Sequence, residues 1–348
     1  MSDIALLSLG TVLIDHFRYL NSNGDLEREE RHVGGGGLFA VAGARIWLPS
    51  ARVRIPVSGR ENPELKVALD KLSIDDEMWL WDDEDTLEAL IEYKGDERRR
   101  VSFPLFLSPC PPHFSYNSSH SFRYVNPRPP RMLSSVPQSI AQDALCLHFC
   151  CSPDVLAQNI NHGIVVPGQL VVYEPIPPSC TAANLEILRI LLPDINIFSP
   201  NHEEAEAFLS ETLPPGSSST SLVEEMAIKF ASYGARTIVI RSGARGSYVL
   251  NSEPSLGARE GRWVDAYWRP DEAAEKVKST TGAGNSFLGG LCAGLALTGR
   301  DICKAAAYGS VSASYVVEQQ GLPTASVEDG EELWNGAAPG ARLARLLP

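Results

Sequence analysis

The sequence predicts an α/β fold with a mostly parallel central sheet. Three observations lead to it. Short apolar runs alternate with helix-length segments through the second half of the chain. The first apolar run begins almost at Met1 and stops at Gly10. A glycine-rich turn, Thr280-Thr281-Gly282-Ala283-Gly284-Asn285, opens an apolar helix. Strands that alternate with helices are joined by crossovers, and the helices then cover both faces of the sheet.

Residues 4–9 read as a buried strand. Residues 16–20 and 26–32 flank Asn21-Ser22-Asn23-Gly24-Asp25. An Asn-Gly pair between strand-like runs signals a hairpin, and its polar flanks leave one face to solvent. Gly34, Gly35, Gly36 and Gly37 lead into residues 38–48, an apolar segment read as a buried helix stopped by Pro49. Residues 53–57 read as the next strand. Residues 87–93 and 98–103 surround Lys94-Gly95-Asp96, which reads as a second hairpin. Two exposed hairpins early in an α/β chain suggest a small β lid over about residues 16–33 and 87–105. Residues 108–137, rich in Pro, Ser and Asn, read as a long irregular connection. Beyond them, residues 144–149, 169–173, 195–199 and 237–240 are strand candidates. Residues 182–192, 203–209 and 222–233 are helix candidates. Residues 216–220 are too short for a domain boundary and no internal repeat is visible, so residues 1–348 read as one domain.

With 44% hydrophobic and 21% charged residues, the chain has the composition of an ordered protein. A formal net charge of −13, with no long basic run, makes it a poor partner for nucleic acid or an anionic membrane. The 7 cysteines are irregularly spaced and form no C-x-x-C motif, so they read as buried free thiols in a reducing compartment. No basic-then-apolar leader is visible, and no apolar run nears the ~20 residues that span a membrane. The cytoplasm is the expected location.

The strongest chemical signal is the turn at residues 280–285. The first N–H groups of a helix have no internal acceptor and carry partial positive charge. Small residues let a phosphate approach them, which makes an anion hole suited to phosphoryl transfer. Gly289, Gly290 and Gly294 follow inside the helix. Each costs roughly 1 kcal/mol of helix propensity relative to Ala. Close packing of another backbone or a ligand is the simplest offset. The alternative reading of the turn is a purely structural strand-to-helix connection.

This turn, followed by Phe287, Gly289 and Gly290, resembles the D-T-x-G-A-G-D signature of the ribokinase, or PfkB, family of carbohydrate and nucleoside kinases. The resemblance extends over nearly the whole chain. It implies a ribokinase-like three-layer α/β/α domain with a mostly parallel sheet and a small β lid. It implies ATP and Mg²⁺ as cofactors and a small-molecule alcohol as acceptor. Gly282, Ala283 and Gly284 would form the anion hole, with Asn285 at the catalytic position. Asp15 resembles the family's substrate-binding Asp, and Gly35 and Gly36 its di-glycine beside the sugar. Asn201 and Glu204 match N-x-x-E, whose side chains organise phosphate and the Mg²⁺ waters, which makes Glu204 the expected metal residue. Ser242, Gly243 and Gly246 resemble the strand end that lines the ATP site, and Thr281 joins them from the signature. Residues 34–45, Tyr173-Glu174-Pro175 and Gly-Ala-Gly-Asn most resemble a fungal, Mak32-like branch. The hairpins resemble surfaces through which some members dimerise, which leaves monomer and homodimer open. Taken alone, Asp15 also reads as a turn cap, Asn201 as a helix N-cap, Glu204 as a solvated helix residue, and Gly243 and Gly246 as a tight turn. His202 reads as a surface residue, and Arg98, Arg99 and Arg100 as a solvated strand.

Three residues depart from the family pattern. The last Asp of the signature takes the proton from the acceptor hydroxyl, and here the position is Asn285. An amide orients a hydroxyl but cannot accept its proton. Losing a positioned base typically costs 10²–10⁴-fold, or about 3–5 kcal/mol of barrier. Ser279 stands where the family often has Asp, near its monovalent-cation loop. Phe39 stands where many sugar kinases place an Asn that bonds the sugar, so it is read as an apolar substrate contact suited to a less polar ligand. Three functions therefore stand side by side. They are an ATP-dependent kinase acting on an alcohol group, a catalytically impaired nucleotide-binding pseudokinase, and an enzyme with other chemistry in the same pocket.

Overall fold

The computed structural model describes residues 3–72, 76–94, 114–116, 120–160, 165–212, 220–257 and 260–347. Its strands in chain order are β1 (Ile4–Ser8), β2 (Leu13–Leu20), β3 (Leu26–Gly34), β4 (Val53–Val57), β5 (Trp79–Trp81), β6 (Leu87–Lys94), β7 (Phe114–Tyr116), β8 (His120–Tyr124), β9 (Ala144–Cys151), β10 (Leu170–Pro175), β11 (Ile197–Phe198), β12 (Thr237–Arg241), β13 (Ser247–Asn251), β14 (Gly261–Val264), β15 (Ala325–Glu328) and β16 (Glu331–Trp334). A 9-stranded sheet runs in the order β14-β13-β12-β11-β10-β9-β1-β4-β5. It is parallel from β12 across to β5, and β13 and β14 add an antiparallel edge.

Both faces of this sheet are covered. Along β10, Leu170 and Val172 join one apolar core while Val171 and Tyr173 join the other. That alternation follows from the two-residue period of a strand. The first core holds residues of the helices Gly36–Arg45, Ala283–Leu297 and Ile302–Val316, among them Val41, Leu288 and Val311. The second holds residues of Pro153–Ile160, Leu185–Leu191, His202–Leu209 and Thr220–Ser232, among them Leu156, Leu188, Phe208 and Phe230. With helices on both sides, β1 and β10 are buried along their whole length, as parallel strands require.

A separate 5-stranded sheet has the order β3-β2-β6-β8-β7. Its β2–β3 hairpin forms at the Asn-Gly signal, where Gly24 takes a φ of 91°. The outer strand β3 is largely exposed and β2 largely buried. The second expected hairpin is corrected. Both edges of β6 are taken by distant strands, β2 in parallel and β8 antiparallel. Its expected partner, residues 98–103, lies outside the described residues. The expected irregular connection at residues 108–137 contains β7 and β8, two short strands hidden in a polar, Pro-rich context. Cys110 also lies outside the described residues, and the other cysteines are free. Among the described residues, no helix is long and apolar enough to cross a membrane.

The glycines of the helix that follows the glycine-rich turn are explained by packing. Ala283–Leu297 is wedged between Gly36–Arg45 and Ile302–Val316. A Cβ on Gly289 would collide with the carbonyl oxygen of Ala40, and one on Gly43 with that of Ser286. Two helices meet here backbone to backbone, which holds the glycine-rich turn directly over the segment of residues 34–37. Gly289→Ala should therefore destabilise the fold by about 1–3 kcal/mol, although Ala is the better helix former. Gly340→Ala, whose added methyl meets nothing within 4 Å, should stay within about 0.5 kcal/mol of the parent. Urea denaturation of the two variants beside the parent chain checks the contrast.

Candidate active site

The polar residues of the sheet gather at one end. Ser8 closes β1, His148 and Cys150 lie near the end of β9, Glu174 near the end of β10, and Arg241 closes β12. Parallel α/β sheets bind ligands at the carboxyl ends of their strands, where loops leave a crevice. The strand register places Ser8 beside His148 and Glu174 beside Cys150.

These side chains form one buried chain of hydrogen bonds. Gly10 N–H donates to Ser8 Oγ at 3.3 Å, and Ser8 Oγ lies 2.9 Å from His148 Nδ1. His148 Nε2 lies 2.9 Å from Glu174 Oε1. A carboxylate only accepts, so Nε2 carries the proton, and in the neutral ring Nδ1 accepts from Ser8. Asn285 Nδ2 donates to the same Glu174 Oε1 at 2.6 Å. Arg241 Nη1 pairs with Glu174 Oε2 at 3.0 Å. Burial pushes the Glu174 carboxyl up, but Arg241 first, then His148 and Asn285, outweigh it and hold its pKa below the usual value. Cys150 lies 3.9 Å from Asn285 Nδ2, and burial, then the Glu174 charge, push its thiol well up. It is no thiolate nucleophile at neutral pH.

The glycine-rich turn sits on this network. Gly282 takes a φ of 76°, the left-handed conformation that starts the helix Ala283–Leu297. The N–H groups of Gly284 and Asn285 have no acceptor among the described residues. A Cβ on Gly284 would collide with Arg241 Nη1, so the guanidinium lies against the open start of the helix. A cation beside a helix N-terminus opposes the helix dipole. The Glu174 carboxylate offsets it. The turn thus offers two backbone donors and one guanidinium, a donor set that fits a phosphate.

The residues expected on the substrate side lie next to it. A Cβ on Gly36 would stand 3.1 Å from Asn285 Nδ2, and one on Gly34 would stand 3.2 Å from Asp15 Oδ2. Gly35 has a φ of 109° and abuts the Thr11 carbonyl. Asp15 and Asn285 are therefore separated by the width of this short glycine segment. Asp15 is 7% exposed, and burial lifts its pKa to about 7. Phe39 corrects an expectation. It is 2% exposed, and its ring lies against Gly282, where a Cβ would strike it. The ring is packing beneath the turn and leaves no surface for a ligand.

The remaining residues divide. Asn201 and Glu204 cap the helix His202–Leu209 reciprocally, each side chain accepting the other's backbone N–H at 2.8 Å. Glu204 Oε2 also lies 3.5 Å from Arg241 Nη2. Burial raises its pKa to about 7 in spite of Arg241. A carboxylate committed to a cap and facing a guanidinium does not fit as a direct ligand of a divalent cation. Among the described residues, no three His, Cys, Asp or Glu side chains gather as a metal site. Ser242, Gly243 and Gly246 form the tight turn from β12 to β13, closed by Ser242 N–H donating to Gly246 O at 2.7 Å. The Ser242 hydroxyl is buried without a partner among the described residues. Thr281 is half-buried in the turn, and its N–H donates to Ser279 Oγ at 3.3 Å. His202 is half-buried.

His148, Ser8 and Arg241 have no role in the reading of the sequence, and Glu174 enters it only within Tyr173-Glu174-Pro175. A usable signal was present: ionisable residues at the ends of apolar runs that read as buried parallel strands. The raised Asp15 pKa has a consequence for stability. The folded value lies above the ordinary 3.8, so stability is full below that value and is lost as pH rises through about 7. Asp15→Asn should be near neutral at pH 4 and should stabilise the chain at pH 8 by roughly 2–4 kcal/mol. Chemical denaturation of both proteins at the two pH values checks it.

Comparison with known proteins gives the family and the fold. The family described as pfkB family carbohydrate kinase matches residues 144–329. An uncharacterized protein of Schizosaccharomyces pombe is 27% identical, over 98% of this chain and 92% of its own. Protein MAK32 of Saccharomyces cerevisiae is 26% identical, over 90% and 86%. Arabidopsis thaliana ribokinase, solved with ribose and ATP, superposes with a TM-score of 0.65 at 16% identity, covering 100% of this chain and 99% of the ribokinase. A Burkholderia thailandensis nucleoside kinase, solved with inosine, gives 0.59 at 16% identity, covering 97% of each chain. The fold is ribokinase-like, and the chain belongs to the pfkB family of carbohydrate kinases.

Proposed function

We propose that this protein is an ATP-dependent phosphotransferase acting on an alcohol group of a sugar, nucleoside or related small molecule. One observation carries the reading. The free N–H groups of Gly284 and Asn285, with the Arg241 guanidinium against them, stand one short glycine segment away from the buried Asp15 carboxyl. A phosphate donor and an alcohol acceptor need this pairing of an anion hole and a polar acceptor group. The ribose and ATP of the similar ribokinase support the same two ligand classes.

In this reading the γ-phosphate rests on the amides of Gly284 and Asn285. The nucleotide runs toward the turn of Ser242, Gly243 and Gly246. The acceptor oxygen bonds to the γ-phosphorus, the bond from that phosphorus to the ADP oxygen breaks, and ADP leaves. The acceptor's proton passes to Asp15, whose pKa near 7 suits a base at neutral pH. Mg²⁺ bound with the nucleotide near Asn201 and Glu204 would supply neutralisation of the phosphate charge. The sheet of β2, β3, β6, β7 and β8 serves as the lid over the acceptor. A second reading rests on Asn285, whose amide cannot take a proton: the chain binds nucleotide without turning it over.

Calorimetry with ATP in the presence of Mg²⁺, followed by ADP release against a panel of sugars, nucleosides and alcohols, separates the readings. Turnover supports the first, and binding without turnover the second. Absence of binding at millimolar ATP would sink both. Gly284→Ala should weaken nucleotide binding about tenfold or more, because its methyl displaces Arg241 from the helix start. Its melting temperature should fall as well, because the displaced Arg241 is an ion-pair partner of the buried Glu174.

A further inference from the structure

We infer that Glu174 is the positioning residue for Asn285, and that the two form a locked carboxylate–amide pair in which position 285 is barred from carrying a carboxylate. The kinetic part of this inference rests on the phosphotransferase reading, and the pairing itself does not.

The geometry leaves Asn285 little choice. Its Nδ2 donates to Glu174 Oε1 at 2.6 Å, and that oxygen also receives His148 Nε2 at 2.9 Å. The other oxygen of Glu174 is held by Arg241 at 3.0 Å. Glu174 is 2% exposed and Asn285 9% exposed, so water does not compete for the contact. A flipped amide would point its oxygen at a carboxylate oxygen, and both only accept. Glu174 therefore fixes Nδ2 inward and makes Oδ1 the hydrogen-bonding group that Asn285 offers to an acceptor hydroxyl. A carboxylate at position 285 would set two such groups in hydrogen-bond contact, and both cannot ionise there. The negative charge at this turn thus lies on Glu174, one hydrogen bond from Asn285, where Arg241 and His148 hold it. Restoring a base by Asn285→Asp alone is blocked, and it requires removal of the Glu174 charge as well.

The test is a double-mutant cycle of the full chain: parent, Glu174→Gln, Asn285→Asp and the combined variant, melted without ligand at pH 5.5 and pH 8. In Asn285→Asp one carboxyl must keep its proton, so its folded pKa lies above the unfolded one. Its stability is full at acid pH and lost as pH rises. Its melting temperature should drop, relative to the parent, by about 5 °C or more between the two pH values. The combined variant should recover most of that drop, because the amide introduced at position 174 donates to the carboxylate introduced at position 285. Parallel melting of Asn285→Asp and parent at both pH values, or simple addition of the two single shifts, overturns the pairing. If Asn285→Asp does not accumulate, a soluble combined variant supports the inference. An insoluble combined variant beside a soluble Glu174→Gln overturns it. In ADP release at pH 8, the combined variant should exceed Asn285→Asp at least tenfold, and equal gain in both overturns the lock. No turnover in any variant, with the pH-linked recovery intact, counts against the phosphotransferase reading and leaves the pairing supported.

Discussion

The buried carboxylate of Glu174 organises this site. It lies at the end of a central strand, with His148, Arg241 and Asn285 all directed at its two oxygens. An unpaired ion in such a place would cost several kcal/mol, and removing one partner of a buried pair typically costs about 3–5 kcal/mol. The partners are therefore bound to their positions as tightly as the core around them. Through His148 and Ser8 the same carboxylate reaches the amide of Gly10, where the chain leaves β1 toward Asp15. Asn285 of the glycine-rich turn and the Gly10 amide are thus linked by one line of hydrogen bonds.

Backbone packing supplies the second constraint. The helix that carries the turn touches its neighbour through Gly43 and Gly289, with no room for a methyl group at either. Phe39 fills the space directly below Gly282. These contacts fix the distance between the anion hole and the segment of residues 34–37. A site for two small reactants depends on such a fixed separation, because effective molarity is lost when reacting groups shift by an ångström.

The charges at the site are unusual for a metal-assisted phosphoryl transfer. Arg241 stands between Glu174 and Glu204 and presses on the start of the helix. It supplies a permanent cation where phosphate would arrive, and it leaves neither carboxylate free for direct metal ligation. Asp15, by contrast, has no compensating charge among the described residues, and burial raises its pKa. Two carboxyl environments pushed in opposite directions, Glu174 held ionised and Asp15 near neutrality, give the pocket distinct electrostatic and proton-accepting groups.

Much of the architecture was legible in the sequence. Apolar runs bounded by turn residues located β1, β4, β9, β10 and β12, because burial on both faces demands continuous hydrophobic strands. The glycine turn and its helix were equally plain, since local backbone chemistry sets both. The lid hairpin at Lys94-Gly95-Asp96 was read from local turn residues, whereas the edges of β6 are filled by strands distant in sequence. Phe39 was read as a ligand contact because sequence position cannot tell the floor of a pocket from its wall. Glu174, His148 and Arg241 lie far apart in the chain, and each is an isolated charge or ring in an apolar run. What the sequence determined by itself was the strand-and-helix order and the glycine-rich turn that opens a helix, both products of local patterning. What only the tertiary structure decided was that Asn285 donates its amide to a buried carboxylate. Parallel strand order brings residues 148, 174, 241 and 285 to one sheet end, and no local rule encodes that meeting.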